Sequence, residues 1–598
     1  MVGSPQVRAD SMNPSPTENS LSRPQRMGLS GMRLALAALG CLAVLGALAI
    51  PQSLPSFWSA DNGFKWWQAK TFAERGPREG TLKYTLVDLD PEGRYQPLGQ
   101  KFGKLEGDQL RFSYSPWWAL ILSPFAGRDA YRGALLLTAV FGAVVLVLCA
   151  MSGALIGLKS PILFATAISL CSPLIVYSLE PNEHIPTLAL GLTAWVLVAP
   201  SLVAGEATIW RGVAAGALSA MAALARNEYA LWGVSLAVTS LIAKRGKLSL
   251  AILLGLGATL FMGLALQSHL FPTAEPLRGA QLHASIPQTT FSLFYLRYRW
   301  ALLNHWLFSA GHYREREELA LFNPFPWALP AIVLLTFSFG RFARKKWGDE
   351  CMEQVLAGFV FCFGSALALI WFRIHRAGLP HVSSLLLVFP ILSLVLLLPL
   401  AKLRADRRAW VILALVGIQC VLVLLLAGNS RGGRQWGPRY LMVTWPLLAA
   451  LGWRILEELL TGRAWWRLSA PAPLLLAMVL SVWTAGGTVR AQQGALPLDL
   501  LKTTSLEAPE EIFLTDLEYL PGAAVGIGIR NWLVFPPGVA LSAKKDLISR
   551  VLELHGRLVW IGRKRPESFL PASAKVESER EEHGFLVVRC GRKDEKSH

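Results

Sequence analysis

Long apolar segments, separated by short polar stretches, recur along most of this 598-residue chain. A helix needs about 20 predominantly apolar residues to cross the hydrocarbon core of a bilayer. Since a helix satisfies its backbone hydrogen bonds internally, these segments predict an all-α polytopic bundle of about thirteen transmembrane helices. The predicted spans are 31–50, 132–157, 161–179, 185–203, 211–226, 229–243, 248–269, 325–340, 352–372, 380–400, 410–427, 441–456 and 468–486.

The composition also indicates a bilayer as the solvent. Hydrophobic residues make up 53% of the chain and charged residues only 16%, which is a low share for a soluble protein. The formal net charge of +18 would favour a nucleic-acid partner in a soluble protein. Here Lys and Arg gather between the apolar runs, as orientation signals do, so no nucleic-acid partner is expected. The seven cysteines contain no CxxC pair and predict no disulfide framework.

The placement of charge predicts the orientation of the chain. Residues 1–30 are rich in Ser, Pro, Asn and Arg and are predicted to form a disordered cytoplasmic arm. The run at 31–50 is interpreted as an uncleaved first helix, with a cleaved signal peptide as the alternative. Basic clusters then fall on every second loop, which the positive-inside rule assigns to the cytoplasm.

Three large polar segments then lie on the extracytoplasmic side. Two of them, 51–131 and 270–324, are outer loops of a transmembrane domain that covers 31–486, and the second is a candidate substrate lid. The third, 487–598, is predicted to be a small α/β domain. Its Gly-rich stretch lacks the spacing of a dinucleotide fingerprint, so no nucleotide cofactor is expected. The β-rich runs are Glu511–Thr515, Leu558–Ile561 and Phe585–Val588, and a helical pattern covers Ala543–Leu554.

An acidic residue, Asp61, follows the first span and opens the sequence Asp61-Asn-Gly-Phe-Lys65-Trp-Trp. Tryptophan favours the lipid headgroup level, and a carboxylate there suits a general base that takes a proton from a hydroxyl group. The alternative is that Asp61 caps an interfacial helix. The apolar stretch from Tyr114 to Phe125 is too short to span and is predicted to lie along the membrane surface, or to be re-entrant.

A second polar cluster, Glu180-Pro-Asn-Glu183-His184, occupies a very short outer loop. Two carboxylates and an imidazole so close to hydrocarbon predict a cation site, or a share in proton transfer with Asp61. The alternative is that Glu183 or His184 caps the helix that follows. The spacing does not match a zinc motif.

Two arginine-containing turns stand at the membrane boundary. Arg226-Asn227-Glu228 is flanked by apolar residues on both sides, and Arg439-Tyr440 begins an apolar helix after a Gly-Pro turn. Charge is costly at such positions, so a guanidinium that binds phosphate is predicted at each turn. The alternatives are a self-satisfied pair between Arg226 and Glu228, and anchoring of Arg439 at the interface.

Arg439 ends a loop that carries further arginines, in the sequence Asn429-Ser-Arg431-Gly-Gly-Arg434-Gln-Trp436-Gly-Pro. Gly and Pro favour a tight turn, and several guanidiniums would converge within it. This loop is predicted to contribute to a phosphate cradle.

In order and spacing, these segments resemble the GT-C-fold membrane glycosyltransferases, which use polyprenyl-phosphate-linked sugars. The closest resemblance is to a bacterial group with an Asp-x-Gly-x-Lys start, here Asp61, Gly63 and Lys65. That group also has an Asp-Pro-Glu-Gly-Arg segment, here Asp90 to Arg94, and an Arg-Asn-Glu turn, here at Arg226. A GT-C-like bundle with an extracytoplasmic C-terminal α/β domain is implied, in the inner membrane of a bacterium.

The resemblance implies specific roles. Asp61 would act as general base on the acceptor, arginines would bind the donor phosphate, and the 180–184 cluster would shape the acceptor site or a metal site. Whether a divalent cation takes part is open, because this chain has Asp61-Asn62 where one branch of the fold has an Asp-Glu pair. The expected catalytic residues are Asp61, Glu180, Glu183 and His184, and the expected donor phosphate-binding residues are Lys65, Arg226, Arg439 and Tyr440, supported by Asn227 and Glu228.

The implied reaction moves a sugar from a polyprenyl-phosphate donor to a lipid or glycan acceptor of the cell envelope, with inversion at the anomeric centre. A transporter or flippase for a lipid-linked saccharide is the alternative, and the high number of spans supports it. Transporters, however, usually place ionisable groups near the middle of the membrane and often show internal repeats, neither of which is evident here. A non-catalytic assembly protein, whose tail binds an envelope partner, is the third hypothesis.

Overall fold

The computed structural model of the protein is predominantly helical. It describes residues 31–50, 57, 60–203, 208–273, 297, 299–303, 306, 358, 360–372, 384–397, 406–426, 439–460, 471–494, 498–507, 510–525, 531–536, 538–582 and 584–593. The predicted span 325–340, most of the predicted lid and the loop with Arg431 and Arg434 lie outside these residues.

Within the described ranges, five helices are long and apolar enough to cross a membrane, by length and composition. They match predicted spans closely, because an apolar run bounded by charged or turn residues marks both ends of such a helix. The five are α1 (Gly31–Ala49), α5 (Tyr131–Ile156), α8 (His184–Val203), α11 (Gly246–Leu270) and α14 (Arg407–Leu426).

Further helices complete this part of the chain, and all but the last of them are shorter than these five. They include short pieces beside the long helices and the two helices that flank Arg226. In chain order they are α2 (Ala60–Arg75), α3 (Gly99–Phe102), α4 (Pro116–Ala126), α6 (Pro161–Leu170), α7 (Leu174–Ser178), α9 (Ile209–Ala225), α10 (Glu228–Ile242), α12 (Val360–Phe372), α13 (Leu385–Val388), α15 (Trp445–Leu460) and α16 (Ala472–Gly494).

Two predicted spans are not continuous α-helices. The span predicted over 161–179 ends as α6 before Pro173, and the short α7 follows, so the prediction of one helix there is wrong. Proline lacks the backbone N–H that would continue the helix, and the Ser172 hydroxyl accepts instead from the amide of Leu174 at 3.2 Å. In the predicted span 380–400, α13 likewise ends before Pro390, and a 3-10 helix over Pro390–Leu397 follows.

Helices α9 and α11 approach each other through glycine. A Cβ atom added to Gly216 would lie 2.0 Å from the carbonyl oxygen of Ile252, and one added to Gly255 would lie 2.1 Å from that of Val213. Small residues allow this backbone proximity between membrane helices, where van der Waals packing drives association. The contact fixes α9, at whose C-terminal end Arg226 lies.

The segment between α1 and α5 carries a small antiparallel sheet of β1 (Leu82–Lys83), β3 (Gln109–Phe112) and β2 (Gly103–Glu106), in that order. Between β1 and β2, the Asp90 carboxylate accepts from the backbone amides of Arg94 and Tyr95, both at 2.8 Å. The Tyr84 hydroxyl donates to it at 3.0 Å. Gly93, at φ +63°, allows this turn. In the structure the Asp-Pro-Glu-Gly-Arg segment therefore forms a turn that Asp90 stabilises.

The predicted C-terminal α/β domain is present. Its five-stranded sheet has the order β5-β4-β6-β8-β7, with β4 parallel to β5 and β6 and the other pairs antiparallel. The predicted runs correspond to β4, β6 and β8, whereas β5 and β7 were not predicted. The elements are α17 (Leu498–Glu507), β4 (Ile512–Thr515), α18 (Leu520–Ala523), β5 (Trp532–Val534), α19 (Leu541–His555), β6 (Arg557–Gly562), β7 (Ala574–Glu582) and β8 (Phe585–Arg592).

This domain packs directly on the segment between α1 and α5. The two share one hydrophobic cluster, the amide of Val534 donates to the carbonyl oxygen of Tyr95 at 2.7 Å, and the Thr85 hydroxyl donates to the side-chain oxygen of Asn531 at 3.0 Å. The tightest contact is backbone to backbone, since a Cβ on Gly63 would lie 1.6 Å from the carbonyl oxygen of Gly522. The helix with the Asp61 carboxylate thus rests against the C-terminal domain.

Replacing Gly63 by alanine should destabilise the protein, because α2 and α18 would have to separate. Alanine in a helix is otherwise favoured over glycine by about 1 kcal/mol, whereas overpacking costs about 1–3 kcal/mol. Thermal unfolding of the detergent-solubilised protein should show a lower midpoint for Gly63→Ala.

The matched control is Gly257→Ala, also within a helix, where an added Cβ meets no heavy atom within 4 Å. That variant should unfold at or above the wild-type temperature. Equal midpoints for the two variants would contradict the importance of the contact between Gly63 and Gly522.

Candidate active site

Helix α2 presents two charged residues one turn apart. Asp61 lies in its first turn and Lys65 four residues later, so both side chains project from the same face. That face meets the loop between α7 and α8, which Arg226 at the end of α9 also contacts, and the 3-10 helix Arg439–Thr444. Four stretches distant in sequence therefore contribute to one cluster.

Lys65 forms the central ion pair. Its ammonium nitrogen lies 2.7 Å from each carboxylate oxygen of Glu183, and both side chains are only 7% exposed. The ammonium also lies 5.3 Å from the centre of the Tyr114 ring, a cation–π distance. Lys65 thus joins α2 to the loop before α8.

Arg226 shares the Glu183 carboxylate and extends the network. One guanidinium nitrogen lies 3.4 Å from the Oε1 atom of Glu183, and the Nε atom donates to Glu228 at 2.6 Å. The same guanidinium contacts the ring of His184, at 3.1 Å from Nε2. The predicted pair between Arg226 and Glu228 is present, but it is part of a larger network.

The amide side chains of Asn62 and Asn182 contact Glu180 and the start of α8. The Asn62 side chain donates to Glu180, and Asn182 donates to the same carboxylate at 3.4 Å. The side-chain oxygen of Asn182 accepts from the amide of His184 at 3.0 Å, which stabilises the beginning of the helix. Asn182 thus stabilises the start of α8 through its side chain, while Glu183 lies directly before the helix and its carbonyl oxygen accepts from the amide of Thr187 at 3.0 Å.

Asp61 contacts a different group of residues. The Tyr114 hydroxyl donates to its Oδ1 atom at 3.0 Å, and a guanidinium nitrogen of Arg439 lies 3.6 Å from its Oδ2 atom. The Arg439 guanidinium also lies 5.6 Å from the centre of the Tyr440 ring. These side chains are more accessible than the Lys65–Glu183 pair, with Asp61 20% and Arg439 13% exposed.

Neighbouring cations decide the charge state of Glu183, which lies in the loop before α8. Burial alone raises the pKa of its carboxyl group, but the Lys65 ammonium and the Arg226 guanidinium outweigh that effect. The resulting pKa is lowered from 4.5 to about 2. Glu183 is therefore a fixed negative charge at neutral pH and a poor proton acceptor.

The structure thus brings the predicted site residues together through direct contacts. Asn227 lies at the position before α10 and forms no side-chain cap there. Sequence reasoning did not assign Tyr114, Asn62 or Asn182 to the site. Tyr114 begins a stretch predicted for the membrane surface, and nothing in its sequence surroundings indicates a contact with Asp61.

The carboxylates of the cluster are poorly suited to a divalent cation. Metal ions of this kind need several oxygen ligands free to converge, whereas Glu183 and Glu228 accept from Lys65 and Arg226. In the part of the chain that the structure describes, no group of three or more His, Cys, Asp or Glu side chains could hold a metal ion. The donor set does not fit the metal site that the sequence left open.

No protein-family model matches this sequence, and no curated protein matches it significantly. Among solved structures, the chain is similar to ArnT from Cupriavidus metallidurans bound to undecaprenyl phosphate, at 12% identity and a TM-score of 0.49, with 94% of this chain and 98% of that chain covered. It is also similar to the Archaeoglobus fulgidus oligosaccharyltransferase in the apo form, at 12% identity and a TM-score of 0.46, with 88% and 69% covered.

Breaking the central pair from one side should destabilise the fold. Lys65→Met leaves the Glu183 carboxylate buried with only part of its charge compensation, which costs about 3–5 kcal/mol. The double variant with Glu183→Gln should lose less than the sum of the two single variants, as measured by thermal unfolding. Lys70→Met on the same helix removes an exposed pair with Asp129 and serves as control, with little expected change. Strict additivity at Lys65 and Glu183 would contradict a coupled pair.

Proposed function

We propose that this chain is an inverting GT-C-type glycosyltransferase that moves a sugar from a polyprenyl-phosphate donor to a cell-envelope acceptor. The observation that carries the proposal is the position of Asp61 beside Arg439, at 3.6 Å, just beyond the end of an apolar helix. A carboxylate next to a guanidinium supplies a base and a phosphate ligand within one small region.

Asp61 is the proposed general base. It is the more exposed member of its pair, and it lies at the start of α2, the helix that follows the apolar helix α1 in the chain. A hydroxyl group of the acceptor would give its proton to Asp61 while its oxygen attacks the anomeric carbon of the donor. One displacement of this kind inverts the anomeric centre.

Arg439 is the proposed ligand of the departing phosphate. The bond between the anomeric carbon and the phosphate oxygen breaks, and the electron pair leaves with the polyprenyl phosphate. A guanidinium binds phosphate oxygens through two parallel hydrogen bonds, and Tyr440 lies beside it. Because the donor is already activated, the reaction requires no nucleotide.

The side chains of the other charged site residues are more buried than those of Asp61 and Arg439. The side chains of Lys65, Glu183 and Arg226 are only 7–8% exposed. Both cations pair with the Glu183 carboxylate. We assign them, with Glu180 and His184, to shaping and holding the site. Under this proposal the site faces the extracytoplasmic side of the bacterial inner membrane, with the N-terminus in the cytoplasm and the C-terminal domain outside.

The proposal predicts that Asp61→Asn lowers kcat by about 10²–10⁴-fold, the usual contribution of a general base. The assay follows transfer of labelled sugar from polyprenyl-phosphate donors by the purified protein in proteoliposomes. Asp129→Asn is the matched control, because Asp129 is an exposed acid of the same outer segment that pairs with Lys70. It should retain wild-type activity.

Full activity of Asp61→Asn would refute the assigned base. Translocation of the lipid-linked saccharide across the same vesicles without any sugar transfer would instead favour the transporter hypothesis.

A further inference from the structure

We infer that this site operates without a divalent cation, because the Lys65 ammonium occupies the position on Glu183 that such an ion would take. The inference deepens the proposed function and rests on it only for the activity assay. The geometry around Glu183 supports it.

The Lys65 nitrogen is equidistant from the two oxygens of Glu183, at 2.7 Å from each. A divalent cation that binds a carboxylate through both oxygens lies between them in the same way, at about 2.0–2.6 Å. The two positions overlap, so a metal ion could reach Glu183 in this manner only by displacing the ammonium.

Displacement would be costly because the ammonium is buried. Both side chains of the pair are 7% exposed, and an unpaired cation in such a place loses its hydration without compensation. Arg226 contributes a second positive charge at 3.4 Å from the same carboxylate. A doubly charged ion on Glu183 would be repelled by this guanidinium.

Lys65 also connects Glu183 with the proposed base. Its ammonium lies against the ring of Tyr114, whose hydroxyl donates to Asp61 at 3.0 Å. Lys65 and Asp61 are moreover one turn apart on α2. Lys65 is thus a positioning residue, since it sets the place of Glu183 and, through Tyr114, that of Asp61.

The decisive test is a calorimetric titration of the full-length wild-type protein in nanodiscs with Mn²⁺, together with transfer assays in EDTA. We expect no saturable Mn²⁺ binding and unchanged turnover in the chelator. Stoichiometric Mn²⁺ binding, or activity that EDTA removes and Mn²⁺ restores, would overturn the inference. A wild-type protein that transfers no sugar would refute the proposed function, while the titration would still decide the cation question.

Variants of Lys65 test whether the ammonium occupies a cation position. Lys65→Ala should lose about 100-fold in kcat, as expected for displaced reacting groups, and should gain saturable Mn²⁺ binding. Lys65→Arg, which keeps the charge, should recover much of the activity without binding Mn²⁺. Lys70→Ala on the same helix should change neither property. Absence of Mn²⁺ binding to Lys65→Ala would overturn the proposed equivalence of ammonium and metal ion.

Discussion

The buried ion pair between Lys65 and Glu183 is the interaction on which the rest of the site depends. Two charges removed from water cost several kcal/mol each unless close partners compensate them. Here the carboxylate receives a bidentate contact from Lys65 and further charge from Arg226, and its pKa falls to about 2. The pair joins α2, the loop before α8 and the end of α9, so these elements must keep one arrangement for the charges to remain compensated.

Close glycine contacts support that arrangement. The proximity of Gly216 and Gly255 to backbone carbonyls sets α9 against α11 and hence the position of Arg226. Gly63 does the same for α2 against the C-terminal domain. A buried ion pair tolerates little displacement, because its attraction falls while the desolvation cost stays. Close backbone packing and charge compensation are therefore parts of one constraint.

Much of the fold could be predicted from the sequence, and less of the site. Apolar runs determine the long helices. The break near Pro173 depends instead on Ser172 and Pro173, which change the mean hydropathy of the segment very little. Charge near hydrocarbon marks Glu183 and Arg226 as candidate site residues, because charge is costly there. The partners themselves could not be predicted, since Lys65 and Glu183 are 118 residues apart and meet only through tertiary packing. The role of Lys65 in phosphate binding stays a prediction.

The two ion pairs of the site differ in how exposed they are. Lys65 and Glu183 satisfy each other within the protein, so a substrate would gain little by approaching them. Asp61 and Arg439 are more exposed and lie farther apart, at 3.6 Å, so their mutual attraction is weaker and more easily exchanged for substrate contacts. A hydroxyl group between them would meet the carboxylate on one side, and a phosphate would meet the guanidinium on the other. Under the proposed function, the pair of Lys65 and Glu183 holds α2 in place while Asp61 and Arg439 contact the reactants.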